Sequence, residues 1–345
     1  MLVLNRTNNK TKIMSSEKET ERPNRFVEIL KKRSEKGLEF ARRSILSENI
    51  ESELAKDALE YYTSNWEIFV HPGLFSLACE AVRGNPDDAV SFQAALSMLT
   101  ASFDIHDDFI DGSRKKQGKL TVFGKFGKGL TVLLGDAFLI KGFTLLFELN
   151  GKMPQDRMKR VVETLGTLLF KLGSAHALEQ SLKGRFDITM EEYTKVLELK
   201  ASSVEADMRI GAIIGGGSLK EAESLAKYGK NLGMLMTLRE EFVDVFEPGE
   251  LYQRMKNEYL PIPVLCAFQN SKAKKIILEI LSQNSGAEQQ FEKICDVTFK
   301  TKEVVELRNY LKRTANEAVG FISTLKESPI KLLLTNMALA MLEDL

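Results

Sequence analysis

Apolar residues recur at three- and four-residue spacing along almost the whole chain, which is the period of an amphipathic α-helix. No stretch of useful length alternates apolar and polar residues as a β-strand does. Prolines mark several helix starts or breaks, among them Pro72, Pro154 and Pro248. The pattern predicts an all-α protein with helices near residues 24–46, 50–64, 72–84, 87–111, 129–149, 155–182, 189–215, 219–246, 262–270, 273–283, 287–296, 302–324 and 329–343.

The same pattern contains neither an internal repeat nor a linker, so we predict a single helical domain over residues 26–345. Residues 1–25 are polar and lack the apolar core of a signal peptide, and we interpret them as a disordered tail. The most apolar long stretch, 130–149, carries Asp136 and Glu148. We therefore expect it to be a buried helix and expect no integral membrane segment.

Two short acidic stretches stand out in this helical sequence, each with three carboxylates in five positions. The first acidic cluster is Asp107, Asp108 and Asp111, and the second acidic cluster is Glu240, Glu241 and Asp244. Residues four apart share one face of a helix, so each cluster directs two carboxylates the same way. Mg²⁺ typically takes one or two carboxylates together with substrate phosphates. The pair predicts a diphosphate held through Mg²⁺, and a solvated acidic helix end is the alternative for either cluster alone.

Charge and cysteine content narrow the class of protein further. The 48 lysines and arginines balance 48 aspartates and glutamates, which leaves no bulk charge to favour nucleic acid or an anionic membrane. Cys79, Cys266 and Cys295 have no paired spacing. They favour a reducing, cytoplasmic compartment over a disulfide framework or a zinc site.

Beyond the acidic clusters, an ordered set of motifs resembles the trans-isoprenyl diphosphate synthase family, the polyprenyl synthetases. The matching stretches are Asp-Asp-Phe-Ile-Asp at 107–111, Gly-Lys-Leu-Thr-Val at 118–122, Gly-Asp-Ala at 135–137, Phe-Asp-Ile at 186–188, Glu-Tyr at 192–193, Lys200 and a degenerate second motif at 240–244. The resemblance runs from about residue 55 to 270. It implies an all-α isoprenoid-synthase bundle around a central apolar cavity that opens at the acidic end. It also implies a homodimer formed through the helix at 130–149.

Members of that family ionise an allylic prenyl diphosphate bound through Mg²⁺, and isopentenyl diphosphate then attacks the allylic cation. The resemblance assigns two kinds of site residue: metal ligands and their support, Asp107, Asp108, Asp111, Glu240 and Asp244; and cations that neutralise the leaving diphosphate, Lys116 and Lys200. Arg114, Arg239 and Lys256 are further candidates for contacts with the diphosphate, and a merely solvated loop is the alternative for Arg114. Phe103 lies one helical turn before Asp107 on the same face, and we expect it to line the floor of a hydrocarbon pocket.

The resemblance fails where the second substrate should bind. In the family, a Lys-Arg stretch before an Arg-Pro pair, an arginine pair after the first motif, and a histidine on the first-motif helix hold isopentenyl diphosphate. With Pro72 as the anchor, the corresponding uncharged residues here are Ile68, Phe69, Gln117 and Thr100. A buried diphosphate without cationic partners has a large desolvation cost. We therefore expect the isopentenyl diphosphate site to be degenerate.

This selective loss favours a Mg²⁺-dependent class I terpene synthase that converts a prenyl diphosphate of fifteen to twenty carbons into a terpene and diphosphate. The first alternative is a chain-elongating isoprenyl diphosphate synthase of the farnesyl or geranylgeranyl type whose acceptor pocket has been rebuilt. The second is a non-catalytic regulatory subunit of a heteromeric prenyl synthase, against which the intact first acidic cluster argues. Glu240 and Glu241 replace the family's aspartate pair. Because Mg²⁺ demands near-octahedral geometry, we expect weaker or shifted metal binding there.

Overall fold

The computed structural model describes residues 22–66, 68–116, 118–149, 151–247, 251, 254, 259–283 and 288–343. The described helices, numbered in chain order, are α1 Arg22–Leu46, α2 Glu53–Ser64, α3 Val70–Ala81, α4 Val90–Ile110, α5 Val122–Phe126, α6 Lys128–Glu148, α7 Gln155–Leu182, α8 Met190–Lys200, α9 Ser202–Ile214, α10 Leu219–Asp244, α11 Ile262–Ala267, α12 Ser271–Gln283, α13 Glu288–Phe299, α14 Lys302–Phe321 and α15 Pro329–Ala340. A short 3₁₀ turn, Pro86–Ala89, precedes α4. The predicted tail lies outside the described residues up to residue 21, and α1 already begins at Arg22.

The helix predicted over 189–215 is two helices, because the chain breaks at Ala201 between α8 and α9. The hydroxyl groups of Ser202 and Ser203 donate to backbone carbonyl oxygens three residues earlier, a local bond that competes with regular helical pairing. Helix α10 approaches this break closely through Gly233, where a Cβ atom would lie only 3.0 Å from the Cα atom of Ala201.

The basic segment that follows the first acidic cluster is ordered by its own hydrogen bonds. Two short strands, β1 Lys115–Lys116 and β2 Lys119–Leu120, pair antiparallel. Thr121 then caps α5: its hydroxyl accepts from the N–H of Gly124 at 2.9 Å and donates to the carbonyl oxygen of Ser113 at 2.6 Å. The hairpin therefore holds the β1 side chains at a fixed position next to the end of α4.

The described chain divides into two compact units. The first comprises the described residues up to Leu165 together with Asp207–Glu223. Helix α4 packs there along α6, α1 and α3. Its contact with α6 is close because Gly142 faces it, where a Cβ atom would lie 2.8 Å from the side chain of Leu99. This packing places the C-terminal end of α4, which bears the first acidic cluster, against both α6 and the basic hairpin.

The expectation of a buried helix over 130–149 holds for only one face of α6. Leu134 and Phe138 are buried, whereas Leu133 and Ile140 are each 65% exposed and Phe147 is 76% exposed. Among the described residues, α6 is also the helix that is long and apolar enough to cross a membrane by length and composition alone. Its buried face packs along α4, as in a core helix of a globular unit.

The second unit comprises Gly166–Ala206 and the described residues from Ser224 onward. Its core is aromatic as well as aliphatic: Tyr193, Tyr228 and Phe242 are almost completely buried. The hydroxyl group of Tyr228 donates to the carbonyl oxygen of Leu334 at 2.7 Å, so α10 is tied to α15. The second acidic cluster lies at the C-terminal end of α10 within this unit.

Candidate active site

The first acidic cluster occupies the last turn of α4 and its C-cap. Asp111 is the cap residue, and its N–H donates to the carbonyl oxygen of Asp107. The C-terminal end of a helix carries partial negative charge, and the last turn of α4 contains no basic residue to offset it. Asp104, one turn earlier, adds another carboxylate. Negative charge concentrated in this way requires cations.

Lys116 of β1 supplies one of these cations. Its ammonium nitrogen lies 2.6 Å from Oδ1 of Asp108 and 3.2 Å from Oδ1 of Asp104. Burial works against the charged lysine, but Asp104, Asp108 and Asp107 outweigh it and raise the pKa of Lys116 far above its usual range. Lys116 therefore stays protonated, and it is held against the carboxylates on the inner side of the cluster.

Asp108 differs from its two neighbours in the cluster. It is 5% exposed, whereas Asp107 and Asp111 are partly exposed. Burial raises the pKa of Asp108 to about 7; Lys116 opposes the shift, and Asp104 and Asp107 add to it. The structure thus gives Asp108 an internal partner and leaves Asp107 and Asp111 on the accessible face.

These residues fit a divalent cation that receives the rest of its ligands from elsewhere. Within the described part of the chain, no three His, Cys, Asp or Glu side chains lie close enough to hold a metal ion alone. Mg²⁺ does not need such a cage, since one or two carboxylates plus substrate phosphates suffice. Asp107 and Asp111, four residues apart and partly exposed, match that requirement.

Two further cations of the basic segment, Arg114 and Lys125, lie over aromatic rings. The guanidinium of Arg114 is 5.2 Å from the ring centre of Phe123, and the ammonium of Lys125 is 3.8 Å from that of Tyr61. The hydroxyl group of Tyr61 also donates to the carbonyl oxygen of Leu120 at 2.7 Å, which ties α2 to the hairpin. Arg114 is exposed, so its predicted contact with a diphosphate stays a prediction.

Phe103 and His106 lie on either side of Asp104 and Ile105 on α4. Phe103 is only partly buried, which suits a side chain that borders a cavity better than one in packed core. His106 Nε2 lies 3.2 Å from Oδ1 of Asp136 on α6. His106 therefore links α4 to α6 beside the first acidic cluster.

The structure describes the surroundings of three of the four aligned positions that hold isopentenyl diphosphate in the family. Ile68 is buried, but the ammonium of Lys31 on α1 lies 5.4 Å from the ring centre of Phe69. The hydroxyl group of Thr100 donates to the carbonyl oxygen of Leu96. Gln117 lies outside the described residues. Lys31 thus places a positive charge near Phe69, although the aligned motif has no cation at that position.

His71, immediately before Pro72, forms a buried charge pair. Its Nδ1 atom is 2.6 Å from Oδ2 of Asp207, and Asp207 is 4% exposed. Burial lowers the pKa of His71, but the charge and hydrogen bond of Asp207, with help from Asp104, outweigh it, so the pKa is raised. Burial likewise raises the pKa of Asp207, against the opposing effect of His71. His71 and Asp207 therefore form a second hydrogen-bonded pair of titratable side chains in the first unit.

In the second unit, a buried arginine holds two carboxylates of the second acidic cluster. Nη2 of Arg254 lies 2.9 Å from Oε1 of Glu241, and Nη1 lies 2.8 Å from Oδ2 of Asp244. The other Glu241 oxygen accepts from the N–H of Ile262 at 2.9 Å. Oε1 of Glu240 is buried and has no hydrogen-bond partner within the described part of the chain. The assignment of Glu240 and Asp244 as metal ligands stays a prediction.

Lys200 and Arg239, the predicted diphosphate contacts of the second unit, both have protein partners. The ammonium of Lys200 lies 2.7 Å from Oε1 of Glu179, to which the hydroxyl group of Tyr259 also donates at 2.9 Å. Arg239 is 8% exposed and donates to the backbone carbonyl oxygens of Glu343 and Met341 near the end of the described chain. Lys256, also predicted to contact substrate, lies outside the described residues.

Sequence reasoning missed the partners of the predicted site residues. Arg254, Glu179 and Asp207 are ordinary charged residues in helical sequence, and only their burial against Glu241, Lys200 and His71 distinguishes them. Arg254 lies ten residues beyond Asp244, past a Pro-Gly turn signal, so no helical spacing connects the two. Asp104 is adjacent to the first motif, yet its distance to Lys116 depends on the hairpin.

Comparison with known proteins identifies the family. The family model described as Polyprenyl synthetase matches residues 53–298. A short chain isoprenyl diphosphate synthase from Methanothermobacter thermautotrophicus is 30% identical over 225 residues, which cover 65% of this chain and 68% of that protein. The chain therefore belongs to the polyprenyl synthetase family of prenyltransferases, whose members generally depend on Mg²⁺. The predicted family resemblance is confirmed.

A further relative and a solved structure agree with this assignment. Geranylgeranyl pyrophosphate synthase 11, chloroplastic, from Arabidopsis thaliana is 34% identical over 186 residues, and the match spans about half of each protein (52%). The crystal structure of geranylgeranyl pyrophosphate synthetase from Pyrococcus horikoshii Ot3 superposes with a TM-score of 0.81 at 20% identity, covering 93% of this chain and 99% of that one. The likeness confirms the predicted all-α isoprenoid-synthase fold.

These comparisons contradict the expectation of a terpene synthase, because the relatives are synthases of isoprenyl diphosphates. The expectation depended on neutral residues at four aligned positions. An anion site does not need its cations at fixed positions in the sequence, since long side chains from another helix can supply them. In the first unit, the ammonium of Lys31 on α1 lies 5.4 Å from the ring centre of Phe69, one of these aligned positions.

Proposed function

We propose that this protein is a chain-elongating isoprenyl diphosphate synthase. It would join an allylic prenyl diphosphate to isopentenyl diphosphate, breaking the allylic carbon–oxygen bond, forming a carbon–carbon bond and releasing diphosphate and a proton. The proposal rests on two partly exposed carboxylates, Asp107 and Asp111, which lie beside the ion pair between Lys116 and Asp108. The chain that carries them belongs to the polyprenyl synthetase family. The names of the relatives support elongation of a prenyl chain over a lyase reaction.

Each proposed role follows from the placement of a side chain. Asp107 and Asp111 would hold Mg²⁺, which when bound supplies Lewis acidity toward the leaving diphosphate. Asp108 and Asp104 fix Lys116, whose charge offsets the crowded carboxylates. Phe103, one turn below Asp107, would contact the prenyl chain and limit its length. Lys200 remains a proposed diphosphate contact, held by Glu179 until substrate arrives.

The acceptor diphosphate would bind near Phe69, at a pocket rebuilt from α1 and α3. Lys31 supports this, because its ammonium already lies 5.4 Å from the Phe69 ring and 3.8 Å from Glu28, a weak exposed partner. Replacing Lys31 with alanine should raise the KM for isopentenyl diphosphate with little change in the KM for the allylic substrate. Lys32→Ala, at the exposed neighbouring position, is the matched control.

The decisive test is a two-substrate assay with labelled isopentenyl diphosphate. Purified protein and Mg²⁺ are incubated with geranyl, farnesyl or geranylgeranyl diphosphate, with and without ¹⁴C-isopentenyl diphosphate. The proposal predicts a longer, labelled prenyl diphosphate only when both substrates are present. Folded protein that incorporates no label with any allylic substrate would overturn it and favour a non-catalytic subunit.

We further propose a homodimer formed through the exposed face of α6. Leu133, Ile140 and Phe147 are spaced by seven residues, so they lie along one stripe of the helix, and all three are mostly exposed. An apolar stripe of this kind suits a second copy of the same helix. Ile140→Glu should convert the assembly to monomers in sedimentation velocity, whereas Leu332→Glu, at a comparably exposed apolar position on α15, should leave the assembly unchanged. A wild-type monomer at micromolar concentration would contradict this proposal.

The cysteines support a reducing compartment, and we include a cytoplasmic location in the proposal. Cys79, Cys266 and Cys295 are free thiols. Burial raises the pKa of Cys79 and of Cys266 to about 12, so both are poor nucleophiles and poor metal ligands at neutral pH.

A further inference from the structure

Arg254 is the most buried charged group next to the second acidic cluster. Its side chain is 5% exposed, and it donates to carboxylates of both Glu241 and Asp244. Its Nε–H donates to the carbonyl oxygen of Tyr259 at 3.2 Å, and the guanidinium lies 5.1 Å from the Tyr259 ring centre. Bonds at Nε, Nη1 and Nη2 together fix the orientation of the guanidinium plane.

Burial and charge together make this arrangement hard to open. Burial works against the charged arginine, but Glu241, Tyr259 and Asp244 outweigh it and raise the pKa of Arg254 well above its usual range. Arginine is charged at every relevant pH. Removing it would leave the buried Glu241 carboxylate without a counter-charge, which is unfavourable in a low-dielectric environment.

The donor set around Glu241 does not fit a divalent cation. One Glu241 oxygen accepts from Arg254 and the other from the backbone N–H of Ile262, so both oxygens already have partners. Mg²⁺ also keeps several of its waters in near-octahedral geometry, and a carboxylate that is 6% exposed leaves little room for them. Of the three carboxylates, Glu240 alone has a buried oxygen without a hydrogen-bond partner among the described residues.

We propose that Arg254 is the resident cation of the second acidic cluster, and that Glu241 and Asp244 bind this guanidinium in place of a divalent ion. The second cluster then acts as a positioning element that joins α10 to the start of α11 through Ile262. Of the two acidic clusters, the first alone would then bind divalent metal. This inference rests on the proposed function solely in taking Mg²⁺ as the relevant ion.

The test measures metal binding and needs no catalytic activity. Free Mn²⁺ is followed by electron paramagnetic resonance in the presence of inorganic diphosphate, with wild-type protein and with the double variant Asp107→Asn/Asp111→Asn. We expect the double variant to lose at least 90% of the bound Mn²⁺. Retention of one Mn²⁺ per chain that is then abolished by adding Asp244→Asn would overturn the proposal.

Removing the arginine should create the missing metal site. In the Asp107→Asn/Asp111→Asn background, Arg254→Gln should restore about one Mn²⁺ per chain. Mg²⁺ should raise the melting temperature of this triple variant by about 5–10 °C and leave that of the Asp107→Asn/Asp111→Asn parent unchanged, as expected when an ion pairs with buried carboxylates. The matched control is Arg185→Gln. Arg185 also bridges two carboxylates, Asp187 at 3.0 Å and Glu192 at 2.7 Å, but it does so at the surface. The control should gain no Mn²⁺.

A folding defect would not leave the proposal untested. If Arg254→Gln proves insoluble, Arg254→Lys keeps the charge, and the Mn²⁺ stoichiometry of the Asp107→Asn/Asp111→Asn variant decides alone. Absence of elongation activity in the wild-type protein, together with the expected Mn²⁺ pattern, would count against the proposed function and not against the proposal for Arg254. The reverse result, full elongation with Mn²⁺ retained through Asp244, would count only against Arg254.

Discussion

The two acidic clusters of this chain have similar sequences and different environments. The first lies at the C-terminal end of α4, where Lys116 engages the buried Asp108 while Asp107 and Asp111 stay partly exposed. The second lies at the end of α10, where Arg254 engages Glu241 and Asp244 in the interior of the second unit. The first cluster is therefore suited to an exchangeable ion, and the second to a permanent one.

The number of carboxylates in a motif therefore does not identify a metal site. An internal cation at the first cluster holds Asp104 and Asp108 and leaves two carboxylates on the accessible face. At the second cluster, Arg254 binds Glu241 and Asp244, which are two of the three motif carboxylates. The side of the helix on which Lys116 or Arg254 lies decides which carboxylates of each cluster remain accessible. The motif sequence does not determine that side.

The largest expected effect is on stability at the second cluster. Arg254→Met should lower the free energy of unfolding by about 3–5 kcal/mol, because it leaves a buried carboxylate without its partner. Arg185→Met removes an arginine that also bridges two carboxylates but is 35% exposed, and it should lower the free energy of unfolding much less. Equilibrium urea unfolding measures both. Equal losses in the two variants would mean that the environments of Arg254 and Arg185 do not differ as described.

The next effect is on catalysis at the first cluster. Asp107→Ala or Asp111→Ala should reduce turnover by at least ~100-fold, as expected for loss of a major electrostatic contact in the transition state. The melting temperature should stay the same or rise, since both side chains are partly exposed and like charges are relieved. Steady-state kinetics and thermal unfolding give the two numbers. Activity above half the wild-type rate in both variants would remove the first cluster from the mechanism.

A smaller effect is expected at Phe103, one turn from the first cluster. Phe103→Ala should lower the free energy of unfolding by less than about 3 kcal/mol, because the ring is not fully buried, and packed aromatic core residues lose more. Product analysis should find a longer prenyl chain, by roughly the volume of the lost ring. Phe138→Ala, from a fully buried position on α6, is the comparison. An unchanged chain length would place Phe103 outside the pocket.

The smallest effect concerns a buried pair whose cation can be neutralised by pH. The pKa of His71 is raised above its ordinary value of 6.5, so the folded state holds this proton more tightly than the unfolded state. The pair therefore adds stability below that pH, and the contribution is lost as the pH rises through the folded-state value. The pKa of Asp207 is also raised, so the contribution of Asp207 to the free energy of unfolding likewise falls as the pH rises through its own titration range.

The comparison variant for this pair is His71→Gln. The difference in unfolding free energy between wild-type protein and His71→Gln should be largest below pH 6.5 and shrink as the pH rises above this value, whereas the effect of Arg254→Met should stay constant over the same range. Arginine does not titrate there. A difference that grows with pH would contradict the raised pKa of His71.

Much of the fold follows from the sequence because helical periodicity is a local property. The apolar spacing and the prolines predict most of the described helices. One exception is the break at Ala201, which arises from paired serines and a close approach by Gly233. The other is α5, which lies in a segment where no helix was predicted. The first acidic cluster is similarly local, since residues four apart on one helix must share a face. Its motif is therefore recognisable from the order of residues alone.

Partners brought together by tertiary packing were not predictable in this way. Arg254 contacts Glu241, Asp207 contacts His71, and Lys31 reaches Phe69 only because separate helices meet. The wrong expectation of a terpene synthase has the same origin, since it assumed that cations absent from aligned positions are absent from the site. The sequence alone thus determined the helices, the family resemblance and the first cluster, while tertiary structure decided which charges are neutralised. The reason is physical: hydrophobic period is set by neighbours along the chain, whereas the energy of a buried charge depends on groups that are distant in sequence and close in space.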